Sequence, residues 1–99
     1  MPSYIVRFTA FTDTYDPHDD TTMNEVYVMV TAAQSALSAT VDCLPSIPHK
    51  FAMHLKENHL NINDETETVT GNVSHIESGI EYFITIVTCP VTEKKWYSF

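Results

Sequence analysis

Apolar and aromatic residues recur with a period of two near both ends of the chain. Every even-numbered position is apolar or aromatic in residues 4–11 and again in residues 80–87. Successive side chains of a β-strand point to opposite faces, so this period predicts a strand in each segment. Both segments also carry apolar residues at odd positions, such as Ile5 and Phe83. The sequence therefore predicts a sheet that includes both ends of the chain.

The region between these strands predicts one further strand and two helices. Residues 25–30 alternate in the same way and predict a second strand. The polar loop 12–24 joins it to the first strand, so we expect the two strands to be antiparallel neighbours. Thr31 and Gln34 have the spacing of a capping box, which predicts a helix over residues 32–43. Pro45 ends this helix, and a second helix begins near Ser46 and ends within residues 58–61.

Two weaker strands complete the predicted fold. Residues 65–75 are rich in Thr and Val and predict a polar third strand, and residues 92–99 predict a short last strand. The order is β-β-α-α-β-β-β. We therefore predict a single α+β domain over residues 1–99, with an antiparallel sheet of four to five strands and two helices packed on one face.

The predicted sheet has apolar residues on both of its faces. We expect the helices to cover the face that carries Val6, Phe8, Val26, Val28, Tyr82 and Ile84. The other face then carries Ile5, Phe11, Tyr27, Met29, Phe83 and Val87. Either the 12–24 loop or the C-terminal segment covers this second face, or it is an interface with a second copy or with another protein.

The charge of the chain is strongly negative and unevenly distributed. Asp and Glu number 13 against 5 Lys and Arg, which gives a formal net charge of -8. No Lys or Arg occurs between Arg7 and Lys50, an interval with six acidic residues, or between Lys56 and Lys94, an interval with seven. This uneven charge gives the protein a strongly negative surface. Such a surface either keeps the protein soluble or binds a basic partner.

The second possibility predicts an inhibitor that occupies the basic surface of a nucleic-acid-handling protein. Its charges exclude direct binding to nucleic acid, because that affinity comes from Lys and Arg. Tyr15 and Tyr27 are candidate apolar anchors within the acidic segment. The residues predicted to bind the partner are Asp13, Tyr15, Asp16, Asp19, Asp20, Glu25, Tyr27, Asp64, Glu65 and Glu67.

The small size, the acidity, the few Arg residues and the apolar sheet face together resemble one class of proteins. This class comprises the small phage-encoded inhibitors of host defence, including anti-restriction and anti-CRISPR proteins, some of which act as DNA mimics. The resemblance implies an anti-defence viral protein that acts in the host-cell cytoplasm. It is one of composition and carries no motif, so no residue role is transferred from it.

Catalytic, cofactor and metal motifs do not occur in the sequence. Only two glycines are present, so no Gly-rich phosphate loop can form, and no Ser or Cys nucleophile motif occurs. Cys43 and Cys89 lack the spacing of metal ligands and are predicted to be buried thiols. Residues 16–20 could bind a hard cation, but their spacing does not match an EF-hand. We predict no enzyme activity, no cofactor and no bound metal.

The location and the alternative function follow from the same features. The N-terminus has no basic segment followed by an apolar one, so we expect a cytoplasmic protein without a signal peptide. No segment approaches the roughly 20 apolar residues of a membrane span, so no membrane is expected among the partners. The alternative function is a non-catalytic structural or small-ligand-binding module that forms a homodimer through the sheet face.

Overall fold

The computed structural model describes residues 1–12 and 24–91, and it is an α+β fold with a five-stranded antiparallel sheet. The strands are β1 (Ser3–Thr12), β2 (Asn24–Ala32), β3 (Leu60–Asn63), β4 (Thr68–Glu77) and β5 (Ile80–Pro90). Their order across the sheet is β2-β1-β5-β4-β3. The predicted fold class is confirmed at this level. The helices are α1 (Ala36–Cys43) and the single turn α2 (His49–Ala52), with 3-10 turns at Leu44–Ser46 and Glu57–His59.

The core lies between one face of the sheet and the helical segment. Strand β1 is flanked on both sides, so that Phe8 lies opposite Tyr27 of β2 and Ile86 of β5. Phe51 of α2 packs on Phe8, with a ring-centroid distance of 6.3 Å. The fully buried side chains include Tyr4, Val6, Phe8, Val69, Ile84 and Ile86. The even-numbered positions of β1 therefore point into the core, as the sequence predicts.

Helix α1 begins later than the predicted capping box. Strand β2 continues to Ala32, which pairs with Ser3, and the Ala33 N–H donates to the Pro2 carbonyl at 3.1 Å. The helix then starts after Ser35, whose hydroxyl accepts a hydrogen bond from the Ser38 N–H. The predicted cap at Thr31 is wrong, because pairing with β1 extends the strand over it.

The predicted second helix is also wrong in length. A 3-10 turn, the four residues of α2 and a second 3-10 turn replace it, and β3 begins directly afterwards at Leu60. Pro45 and Pro48 interrupt the helical pattern at the start of the segment. Phe51 and Leu55 are nevertheless buried, so the segment still covers the sheet.

The predicted third strand corresponds to β4 and the end of the turn before it, and β3 was not predicted as a strand. Residues 64–67 form this turn between β3 and β4, so the predicted strand 65–75 begins too early. At the other end of β4, Ser78 and Gly79 both have positive φ angles, of 55° and 79°. These two residues form a two-residue hairpin turn to β5 of the type that suits the twist of paired strands. The predicted last strand, 92–99, lies outside the described residues.

The face predicted for β2 is wrong by one residue. Met29 lies opposite Val6, which places Tyr27 and Met29 on the core side of the sheet. Val26 and Val28 instead lie on the open face, where they are 46% and 60% exposed. Both faces of β2 are apolar, so the period of two alone does not decide which face is buried. The other residues predicted for the open face, Ile5, Phe11, Phe83 and Val87, do lie there.

Candidate functional site

The structure places the predicted partner-binding residues in separate regions. Glu25 and Tyr27 lie on β2, and Asp64, Glu65 and Glu67 lie on the β3–β4 turn. The other five lie outside the described residues: Asp13, Tyr15, Asp16, Asp19 and Asp20.

Glu25 and the β3–β4 turn lie at opposite corners of the sheet. Glu25 pairs with Ala10 of β1. At the other side of the sheet, Val69 pairs with Thr88 of β5, which in turn pairs with Val6 of β1. Glu67 lies two residues before Val69 in the chain, so it lies six residues along the strands from Glu25. Six residues along the strands and three strand spacings across them place Glu25 and Glu67 on the order of 25 Å apart. This exceeds the screening length of roughly 8 Å at physiological salt, so the two carboxylates act independently.

Local hydrogen bonds hold the backbone of the β3–β4 turn, which carries three carboxylates. The Asn63 side-chain oxygen accepts from the N–H of Glu65 at 3.0 Å and from the N–H of Thr66 at 3.2 Å. The hydroxyls of Thr66 and Thr68 are 2.7 Å apart and share a hydrogen bond. These contacts fix the backbone, because the Asn63 side chain replaces a backbone acceptor at the start of the turn. Asp64, Glu65 and Glu67 are all exposed.

Glu67 has an unusual backbone conformation. Its φ angle is 55°, in the left-handed region that favours glycine. A residue with a Cβ costs roughly 1–2 kcal/mol in this region. The chain therefore carries a carboxylate at the one position of this turn where glycine would be the more stable residue.

A cavity of about 390 Å³ adjoins the turn on the core side of the sheet. Asp64 and Glu67 contribute to its lining on one side, and Gln34 and Ser35 contribute on the other. Tyr4 lines it as well; burial raises the pKa of its hydroxyl, and the negative charge of Glu67 raises that pKa further. The cavity thus combines carboxylates with neutral hydrogen-bonding groups, a set that suits a cationic side chain of a partner.

The acidic side chains of the turn have no cationic neighbour within the described structure. Over residues 1–12 and 24–91, the one ion pair within 4.0 Å joins the His75 Nε2 and the Glu77 Oε2, at 3.9 Å. Asp64, Glu65 and Glu67 are therefore free to contact an external cation. We call these three residues, with Asn63, the acidic turn.

Tyr27 does not serve as an exposed anchor. It is half-buried and packs against the core, with its ring 6.2 Å from that of Phe8 between centroids. Burial raises the pKa of Tyr27, and the charge of Glu25 and a hydrogen bond to its side chain raise it further. Strand β2 therefore presents to a partner its edge and its valines, rather than Tyr27.

The stacked pair of His54 and His75 was not predicted from the sequence. The rings of His54 and His75 stack with their centroids 3.7 Å apart. Burial lowers the pKa of His54 and neighbouring His75 lowers it further, whereas Glu77 opposes the shift. A cavity of about 60 Å³ beside the pair has room for water only. The two residues are 21 positions apart in the chain, and the pair forms only when the helical segment folds over β4.

Metal ligands, membrane-spanning helices and similarity to known proteins are further indications of function, and none of them assigns one to this chain. No three or more His, Cys, Asp or Glu residues are grouped to hold a metal ion within the part of the chain that the structure describes. None of the described helices has the length and apolar character of a membrane span. No family model, curated protein or solved structure gave a significant match to the chain.

Proposed function

We propose that this protein is a non-catalytic inhibitor that uses its acidic turn to occupy a basic surface of a nucleic-acid-handling protein. The observation that carries the proposal is the turn itself, where three exposed carboxylates lie in a fixed backbone and have no cationic partner among residues 1–12 and 24–91. The conformation of Glu67 also supports it, because residues in sparsely populated backbone regions cluster at ligand-binding sites.

The proposed mode of binding is the insertion of basic side chains of the partner beside the turn. An Arg or Lys would enter the cavity between Gln34 and Glu67, and others would contact Asp64 and Glu65 on the exposed side. Complementary charges accelerate the encounter and exclude ligands of the same sign. A nucleic acid would therefore compete with this protein for the same basic surface.

Charge density limits the mimicry that this mode implies. Duplex DNA carries one negative charge per roughly 1.7 Å of its axis, and a single turn with three carboxylates does not reproduce such an array. The proposal therefore requires only a local basic patch on the partner. It does not require that the whole protein follow the path of a duplex.

The test compares two variants that change the net charge equally. The turn variant carries Asp64→Asn, Glu65→Gln and Glu67→Gln, and the control variant carries Asp42→Asn, Glu57→Gln and Glu81→Gln at positions away from the acidic turn. Partners are captured from cell extract on each immobilised protein, and the affinity of the recovered protein is then measured against salt and in competition with duplex DNA.

We expect the turn variant to lose affinity by about tenfold or more, because three contacts are removed at up to about 1 kcal/mol each. The control variant should bind like the unmodified protein, and DNA should displace the partner. The proposal is wrong if the two variants bind equally. It is also wrong if DNA and the protein bind the partner together without competition.

A further inference from the structure

Strand β2 forms a long outer edge of the sheet. No strand pairs with that edge among residues 1–12 and 24–91, whereas the opposite edge is the four-residue strand β3. Natural proteins protect long edges with Lys, with Pro or with a bulge. The nine residues of β2 include neither Lys nor Pro, and Glu25 is their only charged residue.

The free backbone groups of this edge belong to the even-numbered residues. The Ala33 N–H donates to the Pro2 carbonyl, which fixes the side of β2 that bonds to β1. Because alternate residues of an antiparallel pair direct their N–H and C=O groups to the same neighbour, the odd-numbered residues bond to β1. Val26, Val28 and Val30 therefore direct their backbone groups away from the sheet.

The same three valines expose their side chains on the open face. Val26 is 46% exposed, and Val28 and Val30 are each 60% exposed. Their arrangement is symmetric about Val28, so the stripe is the same when the strand direction is reversed. A strand of this kind is complementary to an antiparallel copy of itself.

We propose that two copies of the chain pair through β2 as antiparallel strands, with the two-fold axis at Val28. The two sheets then become one sheet of ten strands. Val28 lies opposite Val28 of the second copy, and each Val26 lies opposite a Val30, so every pair of this stripe joins two valines. Cross-strand pairs of β-branched residues are favourable, and the outward backbone groups gain hydrogen-bond partners.

The other face of β2 is compatible with this register. Tyr27 lies opposite Met29 of the second copy, which is a favourable contact between an aromatic ring and a thioether sulfur. Glu25 lies opposite Thr31, and one oxygen of its carboxylate is buried without a hydrogen-bond partner in the described structure. The Thr31 hydroxyl of the second copy is a suitable donor. The two Glu25 residues are six positions apart along the paired strands, roughly 20 Å, so they do not repel each other.

Cysteine cross-linking tests the proposed register directly. The variants are Val28→Cys and, as a matched control, Val30→Cys, both with Cys89→Ser, since Cys89 is a partly exposed free thiol on the same face. In the proposed dimer the two residues at position 28 have Cα atoms about 5.5 Å apart, within the disulfide range. The two residues at position 30 are displaced by four positions, roughly 13 Å, which is too far.

Mild oxidation should therefore give a covalent dimer for Val28→Cys and none for Val30→Cys. A mixture of Val26→Cys and Val30→Cys proteins should give the mixed dimer. Equal cross-linking of the Val28→Cys and Val30→Cys proteins would overturn the proposal, as would cross-linking of neither.

Sedimentation measures the association without cross-links. We expect a dimer that tightens as salt rises, because salt screens the repulsion between two chains of formal charge -8. Val28→Pro should weaken it by about ten- to a hundredfold, because the outward N–H is lost from both copies while the bonds to β1 remain. Val28→Thr keeps the N–H and should keep the dimer. A monomer at every salt concentration, or a Val28→Pro protein that stays folded by circular dichroism and dimerises normally, would overturn the proposal.

Discussion

Gly71→Ala should destabilise the protein because the space for a side chain at this position is already filled. Gly71 is buried in β4 and pairs with Leu60 of β3 and Ile86 of β5. A Cβ atom at this position would lie 2.8 Å from the Ile86 Cγ2 and 2.9 Å from the Leu60 Cδ2. The Leu60 methyl can rotate away, but the Ile86 Cγ2 is attached directly to a branched Cβ and has little freedom.

The expected net loss is about 1–2 kcal/mol of unfolding free energy. Overpacking a core costs about 1–3 kcal/mol, and the smaller conformational entropy of the unfolded Ala chain returns about 0.4–1 kcal/mol. Each kcal/mol lost lowers the Tm of a domain of this size by about 4–8 °C. Urea denaturation followed by circular dichroism measures the change, and the slope against urea should remain unchanged.

A double variant separates the clash from other causes. Ile86→Leu removes the Cγ2 methyl at nearly constant volume, so the cost of Gly71→Ala should be smaller in that background, with a coupling of about 0.5 kcal/mol or more. Gly79 provides the contrast, because a Cβ atom there would meet no described residue beyond its chain neighbours within 4 Å, and its φ angle is +79°. Asn tolerates that conformation, so Gly79→Asn should be mild. A Gly71→Ala protein as stable as the unmodified one, or fully additive losses in the double variant, would refute this explanation.

Three further predictions concern stability. Glu67→Gly should raise the unfolding free energy by about 1 kcal/mol in urea denaturation, because it relieves the left-handed conformation. Thr88→Val should lower it by about 1 kcal/mol in the same assay, because the buried Thr88 and Thr40 hydroxyls share a 2.6 Å hydrogen bond. The pKa of His54 is lowered in the folded state. The contribution of His54 to the unfolding free energy is therefore complete above the ordinary pKa near 6.5, and it is lost as the pH falls below that value. Unfolding between pH 7.5 and 5.5 should therefore show a smaller loss of stability in His54→Gln than in the unmodified protein; an equal loss would contradict this sign.

The strands near the two ends of the sequence, β1 and β5, were predictable because the apolar residues that recur with a period of two are the ones that the fold buries. Residues 4–11 pair on both sides, and their even positions are buried along the whole strand. The face of β2 was not predictable in the same way, since Val26 and Val28 on one side and Tyr27 and Met29 on the other are all apolar. The register with β1 buries the larger side chains, and a single strand does not contain that information.

The acidic turn was only partly predictable. The charge distribution identifies its carboxylates, but the pattern of Thr and Val places them at the start of a strand. The Asn63-Asp64 pair is a turn signal that could have located the turn, because both residue types bond readily to their own backbone. The separation of Glu25 from Glu67 depends on the strand order, in which β1 and β5 lie between them. The stacking of His54 on His75 depends on the same tertiary contacts.

The position of β1 between β2 and β5 has a consequence for synthesis on the ribosome. The first described strand is hydrogen-bonded to the last described strand, and 77 residues separate Thr12 from Pro90. At about 5–20 residues per second, β1 waits roughly 4–15 s for β5 to be translated. The row of backbone groups that faces β5 stays without its partner for that time. The β4–β5 hairpin has no such delay, because its strands are joined by only two residues.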